Sequence, residues 1–203
     1  MSQCCAVGPV HADQRRVLRS VLVVNAAMFV VQLVAAALAG STALLADSAD
    51  MLGDAMVYAM SLYALGRDAV WQTRVVRLKG GIMAAFGAGI LVEVATKLVR
   101  GVIPSATLMS GFGLLALVAN AGVLMLLWRH RADDLNMRSV WLCSRNDVAA
   151  NAGVLIAALG VGLTDSAWPD IVVGLAVAGL FVTSAAGVIR AARRPATLAR
   201  SRG

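Results

Sequence analysis

An all-α, polytopic membrane protein with six transmembrane helices and both termini in the cytoplasm is the fold class this sequence predicts, on three observations. Of 203 residues, 60% are hydrophobic and only 14% charged, where a soluble domain carries roughly 25% charge. Apolar stretches recur six times along the chain, each about 20 residues or longer, the length that a hydrocarbon core of roughly 30 Å demands at about 1.5 Å per helical residue. The lysines and arginines collect in alternate connections between those stretches. A net charge of +7 would suggest nucleic acid in a soluble chain. Here the basic residues sit at the ends of apolar spans, where they set orientation, so no nucleic-acid partner is expected and the lipid bilayer is.

The spans run from Ser20 to Ala39, Ala43 to Leu65, Gly80 to Val99, Leu108 to Trp128, Ser139 to Leu163 and Pro169 to Ile189. The first is too long, and lacks the small-residue cleavage pattern, for a signal peptide, so it is expected to stay in the membrane. Only Gly40, Ser41 and Thr42 join the first two spans, which must form an antiparallel hairpin with tied registers. Of the 18 lysines and arginines, all but Lys97, Arg100 and Arg145 lie before the first span, between the second and third, between the fourth and fifth, or after the sixth. The positive-inside rule puts those segments, and with them both termini, in the cytoplasm. A bacterial plasma membrane is the expected location. Residues 1–16 are read as a cytoplasmic tail, 17–192 as a six-helix membrane domain and 193–203 as a basic, disordered cytoplasmic tail near anionic lipid. Runs such as GGIMAAFGAGI and NAGVLIAALGVG let membrane helices approach closely and are expected to do no more than that. Three cysteines, with Cys4 and Cys5 adjacent, make no disulfide framework; they suit a reducing cytoplasmic face and one intramembrane thiol at Cys143.

The chemistry is expected in LLADSADMLGDA, Leu44 to Ala55, which puts three carboxylates into a segment otherwise built for lipid. Asp50 and Asp54 are four residues apart and so share one helix face, with Asp47 one turn earlier on nearly the same side. Each ionisable group at the centre of a membrane helix costs about 2.5 to 3.5 kcal/mol, so the set needs protons, partners or a cation. Counted from Ala43, Asp50 is about 10 Å and Asp54 about 16 Å deep, which brackets the midplane. The fifth span brings a second stripe in WLCSRNDVAANAGV: Cys143, Asp147 and Asn151 at i, i+4 and i+8, at similar depth. Two helices that each offer donors at i and i+4 can supply a tetrahedral ion, and mixed oxygen and sulfur ligands suit zinc, cadmium or a similar divalent ion better than magnesium or calcium. The leading set is Asp50, Asp54, Cys143 and Asp147. Asp47 is an alternative ligand or a supporting group behind the ligands, and Asn151 can replace Cys143 as the fourth donor, since Leu142 to Asn151 aligns on Leu45 to Asp54.

Other polar residues carry blander expectations. Arg145 snorkels or pairs with an acid. Glu93 and Lys97, at i and i+4 near the end of the third span, form an ion pair. Asn25 and Asn120 hydrogen-bond between helices. Cys4, Cys5, His11 and Asp13 in the tail, and His130, Asp133 and Asp134 after the fourth span, have metal donors without an established metal spacing.

At these residues the sequence resembles the cation diffusion facilitators, six-span exporters of divalent metals. The specific matches are LLADSADMLGDA, similar to the family pattern of His or Asp, three residues, then Asp, and Cys143 to Asp147, where the family has His, three residues, then Asp. The resemblance implies that Asp50 and Asp54 join Cys143 and Asp147 in a tetrahedral transport site and that metal is exchanged for protons, with no cofactor beyond the transported ion. Cysteine in the histidine position tilts the expected preference toward softer ions. The cytoplasmic C-terminal domain through which many members dimerise is not expected here, since nine residues follow Arg194, so any homodimer is expected through the membrane helices.

Three carboxylates and a thiol cannot all stay ionised in a low-dielectric interior, so protons and metal compete for one site and divalent efflux is coupled to proton entry. The expected activity is proton-coupled export of zinc or cadmium first, then cobalt, nickel, lead or ferrous iron. The rivals are a metal sensor or assembly partner that transports nothing, and an intramembrane metal hydrolase. The hydrolase would need a general base, and the chain's two histidines, His11 and His130, lie outside the spans.

Overall fold

The computed structural model describes residues 12–63, 69–131 and 135–179, and every regular element among them is a helix. In chain order these are α1 (Ala12–Ala39), α2 (Thr42–Tyr63), α3 (Ala69–Arg100), α4 (Ala106–Trp128), α5 (Leu135–Thr164) and α6, described over Trp168–Gly179. The C-terminal tail, the far half of the sixth span, and Cys4, Cys5, His11, Asp133 and Asp134 lie outside the described residues. The protein is all-α, as the apolar spans predict.

The helices outrun those spans. α1, α3 and α5 have 28, 32 and 30 residues, because a helix satisfies its own backbone in water as in lipid and continues through Arg15, Arg16 and Arg19 or through Arg74 and Arg77. Hydropathy registers only the lipid-crossing part. Four helices contain stretches long and apolar enough to cross a membrane: Gln14–Ala39, Gly80–Arg100, Ala106–Trp128 and Val140–Thr164. α2 has the length, at 22 residues, but Asp47, Asp50 and Asp54 interrupt its apolarity. Leu38, Val92, Val99, Val118, Met125 and Ile156 point away from the bundle and are more than half exposed. Lipid accepts such a surface and water does not, so the chain is an integral membrane protein.

α1 and α2 pack along their length as the expected hairpin, α5 packs on α4, and α1 on α4 joins the two pairs; α2 touches α5 in a slighter contact that closes the ring. Three buried clusters stack along this four-helix group. Ala35, Ala39, Leu44, Met109, Val154 and Ala158 fill the end at the α1–α2 turn, Met28, Met51 and Ala116 the middle, and Leu18, Tyr58, Val123, Leu127 and Met137 the opposite end. α3 and α6 sit together on another face of α2, through Met83, Ile90 and Ala178 against Ala46 and Ala49.

Local chemistry sets where α2 begins. Gly40 takes φ +61°, a left-handed conformation that ends α1 without a Cβ penalty. Ser41 then accepts the Leu44 N–H on its hydroxyl at 3.1 Å, a helix N-cap. From Thr42, Asp47, Asp50 and Asp54 follow at about 8, 12 and 18 Å along the axis, at about 1.5 Å per residue.

Candidate metal site

The acid stripe of α2 faces the polar stripe of α5 in antiparallel register. At the end nearer the α1–α2 turn, Asn151 donates from Nδ2 to Asp47 Oδ1 at 3.2 Å, and the same nitrogen donates to the Asp147 carbonyl one turn back at 2.7 Å. Deeper in, Asp54 and Asp147 meet carboxyl to carboxyl at hydrogen-bonding range, with Asp50 and Asp47 within electrostatic reach of Asp147. One further turn along, the Tyr58 hydroxyl donates to Asp54 Oδ2 at 2.9 Å, and Asp147 and Cys143 lie within electrostatic reach of that hydroxyl. The order along the helix pair is therefore Asp47 with Asn151, then Asp54 with Asp147, then Tyr58 toward Cys143.

Asp47 and Asn151 are buried, while Asp50, Asp54, Cys143 and Asp147 are half-buried. Asn151 lies against Asp47 rather than Asp54. Asp47 Oδ2 and Asn151 Oδ1 are buried polar atoms that no donor reaches. Among the described residues, no three histidine, cysteine, aspartate or glutamate side chains form a ready-made cation cage. What does stand together is a pair of facing acids, Asp54 and Asp147. Two carboxylates bond to each other only when one carries a proton, because an ionised carboxylate is acceptor-only. The arrangement can hold a proton in one state and, with that proton gone, offers two anionic oxygens on facing helices to a cation.

Elsewhere the structure redistributes several polar partners. Lys97 is ion-paired with Asp170 of α6, not with Glu93; helical spacing favours the Glu93 pair, but packing of α3 and α6 on α2 brings the Asp170 carboxylate to the ammonium. Asn25 donates to Val21 O on its own helix at 3.0 Å rather than to a neighbour, a local bond that a buried side chain reaches at no packing cost. An inter-helix bond is made instead by Gln32, two turns further along α1, whose amide donates to Phe112 O of α4 at 3.0 Å. Arg145 is exposed and stacks over Trp141 with 5.7 Å from its guanidinium carbon to the ring centroid, in keeping with a snorkelling role. Two functional candidates escaped the spacing argument. Tyr58 is four residues beyond Asp54, so the i, i+4 rule that linked the acids would have reached it. Asp170 is a lone acid opening an apolar span, and a membrane acid is a functional candidate by default.

A comparison with curated proteins finds no match. The family model described as the cation efflux transmembrane domain matches residues 18–68 and 75–194, which takes in both stripes and part of every helix. With most of the chain so matched, the protein belongs to the cation efflux family, whose members are transporters and not enzymes, and its general task is efflux of metal cations.

Proposed function

We propose that the protein exports divalent transition metals from the cytoplasm in exchange for protons, with zinc or cadmium the preferred ions and cobalt, nickel, lead or ferrous iron accepted less well. The observation that carries this reading is the facing of the Asp54 and Asp147 carboxyl groups across the α2–α5 contact. A proton held between facing carboxylates near the membrane midplane must leave before a divalent ion can take both oxygens, and that exclusion is the coupling. Asp50 and Cys143 complete the proposed ligand set from the same two helix faces, and a thiolate among carboxylates favours borderline and soft ions. Asp47 and Asn151 support the ligands from the turn beside them.

In the cycle we propose, the metal enters from the cytoplasmic side to deprotonated ligands, the α2–α5 contact rearranges to expose the site to the other side, and protons from there displace the ion. In this reading, by the positive-inside rule, both termini and the Tyr58 end face the cytoplasm, and the membrane is a bacterial plasma membrane. A homodimer through the membrane helices is the proposed assembly, since their small residues permit close approach.

The test is uptake by inside-out vesicles and by proteoliposomes of the purified protein, with a panel of zinc, cadmium, cobalt, nickel, magnesium and calcium. Saturable zinc or cadmium uptake supports the reading, and an inert protein that binds metal with the same ranking would make it a sensor instead.

A further inference from the structure

At the end of the bundle where α1 turns into α2, one carboxylate gathers donors from two other elements. Asp170 Oδ1 accepts from the Ser41 hydroxyl at 2.6 Å and from the Ala43 backbone N–H at 3.0 Å. Its Oδ2 accepts from the Thr42 backbone N–H at 2.8 Å and the Thr42 hydroxyl at 2.9 Å. The Lys97 ammonium of α3 binds the same oxygen and also the Thr42 hydroxyl, the latter at 2.7 Å. Asp170 is 0% and Lys97 2% exposed. An ionised carboxylate offers roughly four acceptor positions, and all are used.

Two of those donors are backbone N–H groups of α2's first turn, which have no partner within their own helix. Asp170 therefore grips the helix itself, not merely a side chain on it, and its charge faces the positive end of the helix dipole. The grip is steric as well. One turn further along α6, a Cβ on Gly174 would stand 2.9 Å from Thr42 Cβ and 3.2 Å from its carbonyl carbon, so α6 touches the start of α2 with no room to spare.

We propose that Asp170, completed by Lys97, is a positioning residue for the metal site, acting through the start of α2; this rests on the transport reading above. Asp50 and Asp54 can face α5 only in one rotation of α2, since a slip of one residue turns a helix by about 100° and advances it by about 1.5 Å. The α2–α5 contact is slight, so the rotation is held from outside it: by the short turn from α1, and by α6 and α3 through this carboxylate. The anchor is cut deep into three helices and lies away from the ligands, which makes it a fixed point about which the rest of α2 can move.

The test compares concentration dependence of cadmium uptake by proteoliposomes of wild-type protein and variants shown to be inserted and folded. Asp170→Asn puts an amide where five donors converge and leaves the ammonium unpaired. The half-saturating cadmium concentration is expected to rise about tenfold or more, with the maximal rate changed less. Lys97→Met leaves four donors on the carboxylate and is expected to raise it only about threefold. The double variant Lys97→Met with Asp170→Asn should do better than Asp170→Asn alone, and the charge exchange Lys97→Asp with Asp170→Lys should restore nothing, because lysine cannot accept the α2 backbone bonds. Gly174→Ala keeps every charge and still should raise half-saturation, by wedging α6 from Thr42.

Wild-type half-saturation and metal ranking in both Asp170→Asn and Gly174→Ala overturn the proposal, as does restoration by the charge exchange. Should Asp170→Asn fail to insert, Thr42→Val and Gly174→Ala carry the same test. A wild-type protein that moves no metal overturns the transport reading instead. The anchor is then read from the rate at which Cys143 reacts with a thiol reagent on a Cys4→Ser, Cys5→Ser background. A changed rate in Gly174→Ala supports the anchor and an unchanged one overturns it.

Discussion

Asp54 on α2 and Asp147 on α5 set their carboxyl groups against each other at hydrogen-bonding range. The pair joins the two helices that carry every proposed ligand, and the proposed coupling proton belongs between its oxygens. Asp54→Ala or Asp147→Ala removes a ligand and a proton acceptor but little packing, since both residues are only half-buried. Each variant is expected to insert and fold, with the apo protein as stable as wild type or more so, because one of several crowded acids is gone from a low-dielectric interior. Each is expected to lose zinc and cadmium transport entirely. Near-normal uptake by either one would remove the acid pair from the site.

Tyr58→Phe deletes the hydroxyl that donates to Asp54 Oδ2 at 2.9 Å and keeps the ring in its cluster with Leu18, Val123 and Met137. The stability cost should be about 1 kcal/mol, that of one hydrogen bond. Half-saturation for metal should change by several fold, because Asp54 loses one of the contacts that orient it toward the α5 stripe. Thermal unfolding in detergent together with uptake kinetics separates the two effects, and unchanged kinetics would make Tyr58 a packing residue only.

Asn151→Ala should be worse for stability than its size suggests. The amide donates to Asp47 Oδ1 and to the Asp147 carbonyl, and Asp47 Oδ2 already has no donor. Its loss leaves the whole Asp47 carboxylate without this support, at a cost of about 1 to 3 kcal/mol. Transport is expected to weaken but survive. Abolished transport in a folded Asn151→Ala, alongside an active Cys143→Ala, would exchange the two residues' places and put Asn151 in the ligand set.

What could be read without coordinates follows from which constraints are local. Six helices, the hairpin at Gly40 and the two polar stripes all follow from lipid thickness and the 3.6-residue turn, which act within one segment. The pairing of Asp47 with Asn151 and of Asp54 with Asp147 depends on antiparallel register between helices about a hundred residues apart, which no spacing within either helix fixes. Lys97 shows the same limit from the other side. Its helix offers Glu93 at i−4, yet its partner is Asp170, 73 residues on, because α3 and α6 share a face of α2. Asn25 errs in the opposite direction, since its amide found Val21 on its own helix.

Cys143→His should shift preference from cadmium toward zinc. Cys143 is on the α5 face that Tyr58 and Asp54 approach, and imidazole is a harder donor than thiolate while still serving tetrahedral coordination. Competition between the two metals in one uptake assay gives the ratio directly. An unchanged ratio would take Cys143 out of the ligand set.

The last expectation concerns pH, and its sign follows from the acid pair. On the proposed cycle, metal binding needs the Asp54 and Asp147 oxygens free of any proton held between them, so each bound ion is expected to release at least that proton. Lowering pH on the loading side then raises the half-saturating metal concentration, by up to about tenfold per unit for each proton displaced. Lowering pH on the release side does the reverse of harm, because protons arriving there displace the ion and reset the site. A gradient directed from the release side to the loading side should therefore accelerate export, and its reversal should slow it, at constant mean pH. Proteoliposomes carrying a zinc-sensitive dye, with the membrane potential clamped, can record metal and proton movement together. Counterflow of protons with metal is the expected result, and it should vanish in Asp54→Ala, which lacks the acid pair. Metal flux indifferent to the gradient, with no proton counterflow, would make the protein a uniporter or channel, and the facing of Asp54 and Asp147 would then have no part in energy coupling.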